Sequence, residues 1–276
     1  MPTPFNHIVL AERVLAHPAL PHTAGTALRD SRAAFLLGNT APDLGNVTGA
    51  ARTSTHFFDV PMKTERPAYL RMFERHSSLS DGSKLQADHA AFIAGYAAHL
   101  WLDQAWIAMV FEPIYGLRVR RATFRQRLLD HNLLRAHLDR LDRHDLPDDL
   151  DVQLGRARPN HWLPFASDED IQRWRDHLLE QVRPGGHTRT VEVFAAKSGV
   201  PQRQFALELD SKETLQSRVL GPLPTGLIDR FWRVGLENSV RIVAAYTLGE
   251  LRVDTGSAKG IPSFNELANE GIGERP

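Results

Sequence analysis

Residues 90–111 read AAFIAGYAAHLWLDQAWIAMVF, and this stretch decides the fold. It is apolar on every face and is interrupted chiefly by His99, Asp103 and Gln104. A helix that is apolar all round has to be buried, either in lipid or at the centre of a bundle. About 20 apolar residues are enough to span a bilayer, but an imidazole and a carboxylate near mid-span are costly in hydrocarbon. Lys84, Gln86, Asp88 and His89 run straight into the segment, and no second comparable span exists. The reading is therefore an all-α multi-helix bundle around a buried central helix at about 84–111, with no transmembrane segment. His99 and Asp103 are four apart and share a face about one turn apart. Gly95, four residues earlier, leaves that face bare for a metal or a neighbouring helix. A buried carboxylate without a partner is expensive, and an imidazole sharing a cation with it removes the cost.

Composition excludes several classes. The 276 residues carry 33 Lys plus Arg against 33 Asp plus Glu, so no global field favours nucleic acid or an anionic membrane. There is no cysteine, which removes disulfides, thiolate metal sites and cysteine nucleophiles. The N-terminus, MPTPFNHIVLAERVL, lacks a basic segment followed by an apolar one, so a cytoplasmic protein is expected. Glycine-rich phosphate signatures and G-x-S-x-G are missing.

Working outward, residues 4–16 read as an amphipathic helix with Pro4 in its first turn and His7 close behind. A second helix spans 26–37 and is closed by Gly38; the turn GNTAPDLGN then presents Asp43. RTSTHFFDVP places His56 beside Phe57 and Phe58, and Pro67 opens a short helix over 66–76. Pro113 and Gly116 end the central helix. Residues 123–143 form a very charged helix with a leucine stripe, read as solvated, which makes His131 and His137 poor site candidates. Residues 145–166 are irregular, although Trp162, Leu163 and Phe165 suggest that they pack down. Helices follow at 168–182, 188–197, 201–209, 211–220 and 226–251, the last amphipathic and long enough to cover the other side of the core helix. The expected organisation is one helical domain over 1–251, with a metal-site half at 1–112 and a helical remainder at 113–251. A loosely ordered tail takes up 252–276.

Five candidate metal ligands fall within the first 103 residues: His7, Asp43, His56, His99 and Asp103. Nitrogen and oxygen donors without thiolate fit one or two Zn²⁺ ions, with Mn²⁺ and Fe²⁺ behind them. A plainer account of each residue exists. A buried histidine is commonly a hydrogen-bonded core residue, and Asp43 after a proline suits a turn cap.

The order of the pieces adds weight. His7, then GNTAPD ending at Asp43, then THFFD with His56, then AFIAGYAAHLWLDQAW resembles the zinc-dependent phospholipase C family, itself similar in fold to P1-type nucleases. The resemblance covers about 5–106. It implies an all-helical fold with a zinc cluster, in which Asp43, His56, His99 and Asp103 surround one metal. Asp103 would bridge to a second metal held partly by His7. It also implies a phosphoester hydrolase acting on a small phosphoester or phospholipid headgroup, in which a metal-activated water attacks phosphorus and Asp43 orients or deprotonates it. Arg52, near His56 in sequence, is within reach of a substrate phosphate, although the favoured reading is an exposed surface arginine. Two departures stand out. No processed N-terminal ligand is visible, and neither His131 nor His137 is followed four residues on by an acid. The alternative is a non-catalytic helical protein whose metal site is structural or degenerate.

Overall fold

A computed structural model describes residues 1–64, 66–251 and 261–272. Its helices run α1 Pro4–Leu15, α2 His22–Asp30, α3 Arg32–Gly38, α4 Gly45–Thr48, α5 Arg52–His56, α6 Ala68–Arg75 and α7 Ala87–Trp106. They continue with α8 Phe124–Asp142, α9 Leu150–Arg156, α10 Asp168–Val182, α11 Thr190–Ser198, α12 Gln202–Asp210, α13 Lys212–Thr214, α14 Leu227–Thr247 and α15 Phe264–Ile272. No strand occurs among the described residues, and no described helix is long and apolar enough to cross a membrane.

Helix α7 is the axis. Every side chain from Ala91 to Trp106 is buried, as an all-apolar helix requires. Helix α3 crosses it at van der Waals range because glycines meet there. A Cβ on Gly95 would collide with the Phe35 carbonyl, and one on Gly38 with the Phe92 carbonyl. Helix α14 lies along another side, where a Cβ on Gly235 would press into Leu102. This is the covering helix expected from its apolar stripe. Gln104, the third polar residue of α7, accepts from the Ala68 N–H at 2.6 Å. It satisfies one of the free donors at the start of α6 and takes no part in the site.

Four expectations are corrected. Pro113 does not end the central helix. α7 continues into a π-helical segment, Ile107–Tyr115, and the wider turn absorbs the proline until the backbone becomes extended at Gly116. The helix expected over 26–37 starts earlier and breaks at Ser31. Helix α8 is not solvated: Arg127, Asp130, His131, Asn132 and Asp139 are buried with Leu129, Leu133, Leu134 and Leu138, while Leu141 is exposed. Three of the charged residues have internal partners. Arg127 donates to the carbonyls of Tyr115, Gly116 and Ala122, Asp130 accepts from Arg218, and Asp139 accepts from Thr3 and Thr190. Lastly, the loose tail holds a packed element. Phe264 and Leu267 of α15 are buried, and the Phe264 ring lies 5.0 Å from that of Trp101. The rest of the expected tail, 252–260 and 273–276, falls outside the described residues.

Candidate metal centre

Two helices and a turn aim their polar side chains at α7. In α1, the Thr3 side chain caps the helix by accepting from the Asn6 N–H at 3.3 Å, and Asn6 accepts from the Thr3 N–H at 2.8 Å. That reciprocal cap fixes the first turn and points His7 wholly inward. The turn Ala41–Leu44 carries Asp43, whose carboxylate remains about 20% exposed. Helix α5 ends at His56 because Phe57 turns into the left-handed region at φ 59°. His99 comes from α7 itself. Its Nδ1 donates to the Asn39 carbonyl at 2.8 Å, which fixes the tautomer and leaves Nε2 as a lone-pair donor.

Asp103 sits at the centre. Its Oδ1 is 3.4 Å from His7 Nε2, and its Oδ2 is 3.3 Å from His56 Nε2 and 3.5 Å from His99 Nε2. Asp43 Oδ1 lies 3.5 Å from His56 Nε2. Hydrogen bonds to a carboxylate normally span about 2.7–2.9 Å, and none of these contacts is that short. Two ligand atoms each about 2.1 Å from a tetrahedral ion stand about 3.4 Å apart, which is the spacing seen here. The donor atoms also lack other partners. His7 Nδ1 and Nε2, His56 Nε2, His99 Nε2 and Asp103 Oδ1 are all buried without a hydrogen bond. Orphaned buried polar atoms are rare and call for a reason; a divalent cation supplies one. The donors fall into two groups, His7–His99–Asp103 and Asp43–His56–His99, each with its atoms within 4.8 Å of one another.

The electrostatics match. Burial, then the charge of His99, pushes His7 down to about 4, so it is a neutral donor at ordinary pH. Burial opposes ionisation of Asp103, but the charge of His99 and contacts from His56 and His7 hold it well below the usual range. Asp43 is likewise held low against burial, by His56 and the charge of His99. Burial lowers His99, and the Asp103 carboxylate more than reverses this.

Arg52 is not an exposed surface arginine. Its Nη2 donates to Asp103 Oδ2 at 3.1 Å, Nη1 donates to the Phe58 carbonyl at 3.4 Å, and the guanidinium lies 4.4 Å from the centre of the Phe58 ring. Besides joining the site, it lines a cavity of about 490 Å³ that opens beside Asp43 and His56. His131, Arg135 and Lys197 also line this cavity. Sequence reasoning set His131 aside and did not consider Arg135 or Lys197. The available signal was the i, i+4 spacing of His131 and Arg135 beside the leucines of α8. His137 is half-buried and does not line the cavity, and His89 is tied to the Trp162 carbonyl at 2.8 Å.

A family model described as zinc dependent phospholipase C matches residues 6–144, which include all five candidate ligands. No curated protein and no solved structure matches the chain.

Proposed function

Since the chain belongs to the zinc-dependent phospholipase C family, we propose that it is a metal-dependent phosphoester hydrolase. In this reading His7, Asp43, His56, His99 and Asp103 hold one or two zinc ions. The observation that carries it is the set of buried, unpartnered imidazole nitrogens ringed around Asp103 at 3.3–3.5 Å. Bound zinc lowers the pKa of water and neutralises developing charge on phosphoryl oxygens.

The chain's own residues do the rest. Asp103 is wholly buried and gives the cluster its fixed negative charge, while Asp43 is partly exposed on the cavity wall. Asp43 is held ionised, so it accepts a hydrogen bond from a water entering from the cavity and orients it. Arg52 is anchored on Asp103 and faces the same cavity, where its guanidinium receives an oxygen of the phosphoryl group. The cavity also favours an enzyme over a purely structural site, because structural zinc sites are closed.

The test is metal analysis of the purified protein together with a screen of phosphodiesters and phosphomonoesters. Zinc at one or two equivalents with metal-dependent turnover is expected. A stoichiometric metal with no turnover of any phosphoester would leave the structural-site alternative standing.

A further inference from the structure

The cavity wall carries Arg135 and Lys197 with no carboxylate in contact with either among the described residues, Asp43 acting on both only at longer range. Trp106 Nε1 donates to His131 Nε2 at 2.8 Å. An indole N–H only donates, so the proton of the neutral His131 ring resides on Nδ1. That Nδ1 is buried without a partner, on a ring that lines the cavity. One turn on, the Arg135 guanidinium lies over Phe194, 4.1 Å from the ring centre. Its Nε donates to the Met1 carbonyl and its Nη1 to Asn132 Oδ1 at 3.2 Å; among the described residues no carboxylate pairs with it. Lys197, from α11, has only Asn46 Oδ1 at 3.3 Å. Asp43 is the single carboxylate among the described lining residues.

We propose that His131, Arg135 and Lys197 form an anion subsite that selects phosphoesters with a second negative charge, either a phosphomonoester dianion or a diester with an anionic headgroup. This rests on the hydrolase reading for the first, metal-side charge. The physics is one of complementarity. Arg135 is half-buried with no carboxylate paired to it, which is costly, whereas Lys197 is exposed on the same wall; an incoming oxyanion converts both into charge-assisted contacts. His131 Nδ1–H gains the acceptor it lacks. Burial, which pulls Arg135 to about 10 and Lys197 below its ordinary value, leaves both charged at neutral pH. A quaternary ammonium headgroup would need aromatic faces or carboxylates free of competing cations, and here Arg52, Arg135 and Lys197 repel it. The remaining wall, with Phe5, Ile107, Phe111 and Val193, accommodates an apolar part of the same molecule.

The experiment separates the subsite from the chemistry. Inorganic phosphate is titrated calorimetrically into the full chain, metal-depleted and dialysed free of chelator, and into the metal-loaded protein. Saturable binding to the metal-depleted protein is expected, weakened about tenfold by Lys197→Gln and by Arg135→Gln. If Arg135→Gln fails to fold, Lys197→Gln decides alone. Binding by Lys197→Gln within about twofold of the unaltered protein overturns the proposal, as does the absence of saturable binding. On the metal-loaded protein, p-nitrophenyl phosphate and short-chain phosphatidylinositol 4-phosphate, whose headgroup carries its own anionic phosphate, should exceed a short-chain phosphatidylcholine in kcat/KM. Lys197→Gln should raise KM for the anionic pair with kcat little changed. Faster turnover of either anionic ester supports the subsite and tells a free ester from a lipid. Preference for phosphatidylcholine overturns the proposal while the hydrolase reading stands. Phosphate binding that Lys197→Gln abolishes, with no turnover of any ester, leaves the subsite and sinks the hydrolase reading.

Discussion

His99 Nδ1 lies 2.8 Å from the carbonyl oxygen of Asn39, and two glycines make that contact reachable. Asn39 follows directly on α3, and Gly95, one turn before His99 on α7, lets the α3 backbone come close enough for its carbonyl to hold the imidazole. A backbone crossing in the core thereby sets the tautomer of a candidate metal ligand.

Gly95→Ala should uncouple the two. Its Cβ would collide with the Phe35 carbonyl and stand 2.8 Å from the Asn39 backbone nitrogen, so the helices must part. Overpacking of this kind costs about 1–3 kcal/mol, or a fall of roughly 2–10 °C in melting temperature for a chain of this size. Metal content should fall as well, because His99 loses its anchor. An unchanged melting curve with full metal content would show that the crossing does not orient the ring.

Phe264→Ala should separate stability from site chemistry. Phe264 packs on Trp101, two residues and about half a turn from His99, on the far side of α7. Truncating a buried phenylalanine costs about 3–5 kcal/mol, while the ligand atoms keep their places. A clear drop in thermal stability with zinc stoichiometry intact is expected. If the melting temperature does not move, α15 contributes nothing to the fold.

What was legible in the sequence follows the range over which each signal acts. The uninterrupted apolar run of 90–111 requires burial on every side, so the central helix and its inward-facing His99 and Asp103 could be read without contacts. Local signals also placed α10, α11, α12 and α14, where caps, glycines and stripes agree. Helix α8 misled because charge along a helix normally means water. Here Arg127 spends its charge on three carbonyls and Asp130 on Arg218, partners as much as 88 residues away. The tail misled for a similar reason. Phe264 and Leu267 are too few to signal a core helix, and their burial depends on Trp101, far away in sequence. The wall of His131, Arg135 and Lys197 joins α8 to α11, and the i, i+4 spacing of the first two says nothing of Lys197, which meets them only in the fold.

Metal affinity should depend on pH through His99. Its folded value is raised from the ordinary histidine value because the Asp103 carboxylate outweighs burial, so in metal-free protein a proton competes for Nε2. Metal uptake expels that proton, and affinity should fall about tenfold per unit as pH drops below the raised value. His7, pushed down to about 4, is already neutral across that window and adds no slope. Competition against a chromophoric zinc chelator from about pH 6 to 8 reads the slope. A flat profile would mean that His99 is not a ligand.

Asp103→Asn and His137→Ala together test which face of the bundle holds the metal. The first keeps the volume of a residue whose oxygens sit 3.3–3.5 Å from three imidazole nitrogens and removes the charge they share. The second trims a half-buried histidine away from the cavity. Zinc in Asp103→Asn should fall well below that of the unaltered protein, whereas His137→Ala should retain it. Chelation offers the second readout. A metal present at about a thousandfold over its Kd stabilises the native state by about 4 kcal/mol. A chelator should therefore lower the melting temperature of the unaltered protein and of His137→Ala by roughly 8–16 °C. The same treatment should barely move Asp103→Asn, which has already lost its metal. Equal zinc loss in both variants, or equal chelator shifts in all three proteins, would place the metal somewhere other than the ring of histidines around Asp103.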